Sequence, residues 1–276
     1  MLQKALNNRD KEALRKKVKM VEIEGKEIII EICCGSYEDV IAAKNAGAHR
    51  VELNSSLFLG GLTPSLGSLR LSKKNVPGIE VIPMVRPRQA GFAYSDFEFD
   101  TMKEDAKLFL ENGADGIVFG FLHNDGTVDE KRTCEFVELI SAYGKPSVFH
   151  RAFDVTPDPV EAVEKLIKCG VTRLLTSGQA RAVPEGIELI KTLVEHVGDK
   201  IEILPGAGIK ANNVSHIVSY TGVTQVHFSA GEQKAEPSVT NNRNIHFGGA
   251  LYPREDLIEV TSSQKITDVI SAIGRN

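Results

Sequence analysis

From Glu27 onward, short apolar runs alternate with stretches whose apolar positions recur at helical spacing, and Gly, Pro or a polar cluster closes each run. The runs predict strands over Glu27–Cys33, Arg50–Leu53, Ile79–Val85, Gly116–Gly120, Ser147–His150, Arg173–Thr176, Ile201–Leu204 and Gln225–Phe228. The stretches between them predict helices near Tyr37–Ala46, Pro64–Lys73, Glu98–Asn112, Glu130–Ala142, Pro157–Lys168, Pro184–His196 and Ala211–Tyr220, with a last one near Leu257–Ile273. Start signals fit this phase: Ser36 with Asp39 reads as a capping box, while Thr63-Pro64 and Thr156-Pro157 put Pro at the first helical position. Stop signals agree, because Gly47, Gly113 and Gly170 each stand where a helix turns back toward a strand.

Parallel strands need a crossover helix between them, so strand-then-helix units repeated eight times imply an α/β fold with a parallel sheet. Closure into a (β/α)₈ TIM barrel is the simplest architecture. The competing open doubly wound sheet wants a glycine-rich turn after the first strand, and Glu31-Ile32-Cys33-Cys34-Gly35 supplies a single glycine. Residues 1–26, with an amphipathic helix expected over Leu2 to Met20, read as an N-terminal extension to one barrel domain over 27–276. The polar stretch from Gly231 to Gly249 has no core pattern and reads as a long, mobile loop.

Composition narrows the function. Hydrophobic residues at 42% and charged residues at 25% suit a globular chain with a large core. A net charge of −4 creates no field to gather nucleic acid, and the cluster Arg15-Lys16-Lys17-Val18-Lys19 reads as a solvated helix face. The chain has no apolar stretch of spanning length and no signal-peptide core, so a cytoplasmic address is expected and no membrane partner. Its four cysteines do not form a disulfide framework and are expected as reduced thiols, with Cys134 and Cys169 as small helix packers.

Barrel function gathers at the carboxyl ends of strands. Period-two alternation puts Glu31 and Cys33 on one face, Arg50, Glu52 and Asn54 on the next, then Met84 with Arg86, Val148 with His150, and His227 with Ser229. Unpaired burial of such a set is costly, so Glu31 or Glu52 is expected to face Arg86 or Arg151. The set reads either as an ion-pair layer capping the barrel or as a site in which Glu31, Glu52, Arg86 and His150 carry chemistry. The segment Leu204 to Ile209, with Gly206 and Gly208, and the segment His227 to Ala230 occupy positions that commonly receive phosphate or carboxylate; a tight strand-to-helix turn is the alternative reading of the glycines. No predicted strand end carries a Schiff-base lysine, and no Gly-x-Ser-x-Gly exposes a nucleophilic serine. A soft Cu(I) ion would want Cys33, whereas hard divalent ions would want Glu31, Glu52, His150 and His227.

These residues lie in segments that resemble the CutC family. The resemblance rests on Arg50-Val51-Glu52-Leu53, Gly60-Gly61-Leu62-Thr63-Pro64-Ser65, Pro83-Met84-Val85-Arg86-Pro87-Arg88, Phe149-His150-Arg151-Ala152-Phe153-Asp154, Leu175-Thr176-Ser177-Gly178-Gln179 and Pro205-Gly206-Ala207-Gly208, and it runs from about Glu27 to Ala230. It implies a barrel, a cytoplasmic location and a role in copper homeostasis, with cysteines at the ends of the first two strands as suggested ligands. The first matches Cys33, and the second falls on Asn54.

Two functions therefore stand side by side. One is copper handling through Cys33, with His150 or His227. The other is an enzyme acting on a small anionic metabolite, gripped by Arg86, Arg151, Asp154, Ser177, the Gly206–Gly208 loop, His227 and Ser229, with Glu31, Glu52 or His150 moving protons. An inert binding barrel is the blander alternative, and the sequence leaves room for a homo-oligomer.

Overall fold

The computed structural model describes residues 22–23, 25–242, 244–248 and 254–274. The expected helix over Leu2 to Met20 lies outside the described residues. Glu22–Ile23 and Lys26–Glu27 form a small antiparallel hairpin ahead of the barrel.

The barrel strands are β1 (Ile29–Cys34), β2 (Arg50–Leu53), β3 (Glu80–Pro83), β4 (Ile117–Phe119), β5 (Ser147–Phe149), β6 (Arg173–Thr176), β7 (Glu202–Pro205) and β8 (Gln225–Phe228). Parallel pairing joins β8-β1-β2-β3 and β4-β5-β6-β7 into two four-stranded halves. Parallel bridges Met84 to Val118 and Gly206 to His227 join the halves on both sides, which closes the ring. The open-sheet alternative is therefore excluded.

The outer layer is α1 (Tyr37–Asn45), α2 (Leu66–Asn75), α3 (Asp96–Glu111), α4 (Glu130–Ser141), α5 (Pro159–Cys169), α6 (Val183–Val197), α7 (Val214–Thr221) and α8 (Ser263–Ala272). The caps correct the expected starts at two helices. Ser65 caps α2, and Asp158 caps α5 with Pro159 as its first residue, so Pro64 and Pro157 lie before their helices. Ser36 does accept the Asp39 N–H, but the Asp39 carboxylate turns to the N–H groups of Gly35 and Thr261 and ties α1 to the C-terminal segment.

The Gly231 to Gly249 stretch also differs from the expected loop. Gly231–Ala235 (β9) pairs antiparallel with Leu257–Thr261 (β10), and Pro237–Asn242 forms a 3₁₀ turn. The ribbon is mostly exposed, so its side chains carry no core pattern. Leu257–Thr261 is consequently a strand, and the last helix begins at Ser263.

Cys134 and Cys169 form a disulfide between α4 and α5, against the expectation of reduced thiols. Adjacent helices bring the two Cα atoms to 4.6 Å, well inside bridging range, although they stand 35 residues apart in sequence.

The barrel interior is divided. Ile82, Met84, Val118, Val148, Leu175 and Leu204 fill the β3 to β7 side as an apolar plug. On the β8-β1-β2 side the inward positions are Glu31, Arg50, Glu52, Gln225 and His227, all buried. Buried polar groups of this kind need partners, and the register provides them by setting Glu31 beside both Arg50 and His227, and Cys33 beside Glu52.

Candidate functional site

Arg50 Nε donates to Glu31 Oε2, and Arg50 Nη2 donates to Gln225 Oε1 at 2.7 Å. Arg173 bonds Glu202 at 2.7 Å, and Glu202 also receives Gln225. This ladder floors the barrel. The expected pairing of Glu31 or Glu52 with Arg86 or Arg151 is not found, because pairing follows register, and the register aligns Glu31 with Arg50. Burial alone would raise the Glu31 carboxyl, but the Arg50 charge and the His227 hydrogen bond hold it far below the usual range. Glu31 thus lies beneath the cavity floor, outside the set of residues that line it.

Above the floor, a cavity of about 630 Å³ opens at the carboxyl ends of the strands. On its β8-β1-β2 side, one ligand atom from each of Cys33, Glu52 and His227 lies within 4.8 Å of the others. His227 Nδ1 meets Glu31 Oε1 at 2.7 Å, which fixes the ring and leaves Nε2 for the cavity side. Although burial works against its charge, His227 is raised well above the ordinary value by hydrogen bonds to Cys33 and Glu31 and by the Glu52 charge. Burial raises the Cys33 thiol and, with the Glu31 charge, the Glu52 carboxyl. Asn54 Nδ2 donates to Glu52 Oε1 at 2.9 Å and reaches Cys33 Sγ at 3.5 Å. Glu52 Oε2 has no hydrogen-bond partner among the described residues. Cys34 points the other way, fully buried.

Across the cavity stand Arg86 and His150. Arg86 Nη1 donates to Leu59 O and Gly61 O, and Nη2 donates to Ala90 O. His150 Nδ1 accepts the Ala152 N–H at 3.1 Å, so the neutral ring carries its proton on Nε2. Phe92 packs on this ring at 4.8 Å, and Gly120 backs it so tightly that a Cβ there would lie 2.4 Å from Cε1.

Burial and the Arg86 charge lower the His150 pKa from 6.5 to about 3. The unfolded chain therefore binds a proton here that the folded chain refuses. The group costs nothing above pH 6.5 and destabilises the fold progressively as pH falls from 6.5 toward 3. We expect His150→Gln to flatten the stability profile in that window by up to about 1.4 kcal/mol per pH unit, read by urea titrations at successive pH values; parallel profiles for the two proteins would contradict this.

Arg151 lines the cavity and bonds Asp154 at 2.7 Å and Ser177 Oγ at 2.8 Å. The Asp154 carboxylate also accepts Thr176 Oγ1, both donors of Ser177 and the Gln179 N–H, so it organises the loop after β6. Ser177 is fully buried and does not line the cavity. The Gly206 N–H is occupied by Thr176 O and cannot cradle an anion, and only Gly208 of the two glycines reaches the cavity wall. A Cβ on Gly206 would lie 2.5 Å from Leu175 Cδ1, so close packing accounts for that glycine. Ser229 lines the mouth beside Cys33.

Phe92, Lys210 and Glu259 also line the cavity and were not expected there. Lys210 follows β7 on a loop that strand ends do not reveal, and Glu259 arrives from β10. A second hollow, about 530 Å³, lies between α3 and α4. It is walled by satisfied surface charges such as Arg132 with Asp96 and Lys103 with Glu135.

The CutC family model matches residues 28–232. A CutC family protein of Treponema denticola is 56% identical over 90% of this chain and 100% of its own length. The human copper homeostasis protein cutC homolog is 38% identical over 90% of this chain and 89% of its own. The crystal structure of the CutC protein of Streptococcus agalactiae superposes with a TM-score of 0.69 at 35% identity, covering 73% of this chain and 98% of that one. N-(5'-phosphoribosyl)anthranilate isomerase from Pyrococcus furiosus superposes at 0.53 with 12% identity over 89% of this chain and 98% of its own, a likeness of fold alone.

Proposed function

Because the chain belongs to the CutC family, we propose that it serves copper homeostasis by holding one copper ion at the barrel mouth. Cys33 Sγ and His227 Nε2 are the principal donors, with Glu52 as a third. The observation that carries this reading is the convergence of these ligand atoms within 4.8 Å. Two features support it. His227 is oriented by a carboxylate on its other nitrogen, the arrangement that metal-ligating histidines use. Glu52 Oε2 is buried without a partner among the described residues, a vacancy in hydrogen bonding that a cation would fill.

A thiolate with an imidazole suits Cu(I), the softer oxidation state. Asn54 does not supply a second soft donor; its amide N–H groups bond Glu52 and the Cys33 sulfur and so position the ligands. Copper is cargo in this reading. The test is anaerobic competition for Cu(I) against a chromophoric chelator, with one ion per chain expected. Cys34→Ser should bind as the wild type does, because Cys34 is sealed beneath the helix layer. Several ions per chain, or binding lost with Cys34 alone, would overturn the assignment.

A further inference from the structure

On the β3 to β5 side of the same cavity, the structure contains two groups that the copper reading leaves without a role. Arg86 is 6% exposed and permanently charged. The acceptors that hold it, Leu59 O, Gly61 O and Ala90 O, are neutral carbonyls, and no carboxylate among the described residues pairs with it. Its Nε has no partner among them either. His150, 4% exposed, presents an Nε2–H that is equally unpartnered. Both side chains line the cavity, and Phe92 holds both, at 4.8 Å from the His150 ring and 5.2 Å from the Arg86 guanidinium carbon.

Folding does not require this arrangement. A buried donor left unsatisfied costs about 1–3 kcal/mol, and a buried charge more. Neighbouring interior positions are filled by Val118, Val148 and Leu175 at no such cost. An anion that also accepts hydrogen bonds would satisfy both groups at once.

We propose that the barrel mouth binds the carboxylate of a small organic acid between Arg86 and His150, at a subsite separate from Cys33, Glu52 and His227. The charge balance selects a singly charged group. Glu52, across the cavity, and Asp154 line the same space and disfavour further negative charge, and Arg151 is already engaged by Asp154 at 2.7 Å. Met84 and Leu175 offer an apolar wall for a short carbon chain, and exposed Lys210 stands at the rim to meet a second polar substituent.

The test is isothermal titration of the full-length, metal-free protein with sodium glycolate, sodium acetate and inorganic phosphate at neutral pH. Glycolate and acetate should bind saturably and phosphate should not. Arg86→Lys, which replaces a planar donor fork with a point charge, should weaken binding by about tenfold or more. His150→Phe, which keeps a ring against Phe92 but removes the donor, should weaken it as well. Cys33→Ser should leave carboxylate binding unchanged while abolishing tight Cu(I) binding, so the two sites fail independently. Absence of saturable carboxylate binding, binding of phosphate in its place, or wild-type affinity in His150→Phe would overturn the proposal. The His150 variant decides the matter even where Arg86→Lys does not fold.

Discussion

Replacing Glu31 by alanine is expected to destabilise the fold by about 3–5 kcal/mol at neutral pH, the usual cost of breaking a buried ion pair from one side. Glu31 is 2% exposed and is the shared acceptor of Arg50 and His227. Its loss leaves two buried donors without their main partner, and Arg50 retains the neutral Gln225 Oε1 and a distant Glu80 carboxylate at 3.8 Å. The effect should depend on pH with a definite sign. Glu31 is held below its ordinary value of 4.5, so its contribution is fully present above that pH and is lost as pH falls toward the folded value. Urea titrations should therefore show a deficit that shrinks below pH 4.5. A deficit under about 1 kcal/mol at pH 7 is what an exposed pair gives, and would contradict the floor-ladder account.

Cys33→Ser should have the larger effect on metal. Removing a supporting group from a metal site costs roughly 10–100-fold in affinity, and removing the soft donor itself should cost Cu(I) more than that. Cys33 is the one thiol that lines the cavity among the described residues; Cys34 is buried behind it, and Cys134 and Cys169 are bonded to each other. No other thiol lining the cavity can substitute for it. Chelator competition on the two proteins side by side should show the loss, with Cu(I) affinity retained in Cys33→Ser as the contrary result.

Much of the barrel was legible in the sequence because it depends on period alone. The inward positions of Glu31, Cys33, Glu52, Arg86, His150 and His227 follow from alternation, and the structure does bring all but Glu31 to one cavity. Partner choice was not legible. Glu31 meets Arg50 and His227 because the stagger of neighbouring strands sets those residues opposite one another, and stagger leaves no local mark in the sequence. Arg86 was expected to need a carboxylate, whereas backbone carbonyls from two loops hold it. The β9 to β10 ribbon escaped because an exposed strand needs no apolar face. The Cys134 to Cys169 bridge depends on how two helices lie side by side, which their individual patterns do not encode.

The copper assignment is most directly tested by X-ray absorption at the copper edge on the anaerobic complex loaded with one equivalent of Cu(I). A single sulfur scatterer from Cys33, accompanied by nitrogen or oxygen donors and the outer-shell pattern of the His227 imidazole, is the predicted spectrum. A site with two or more sulfurs, or with none, would contradict it.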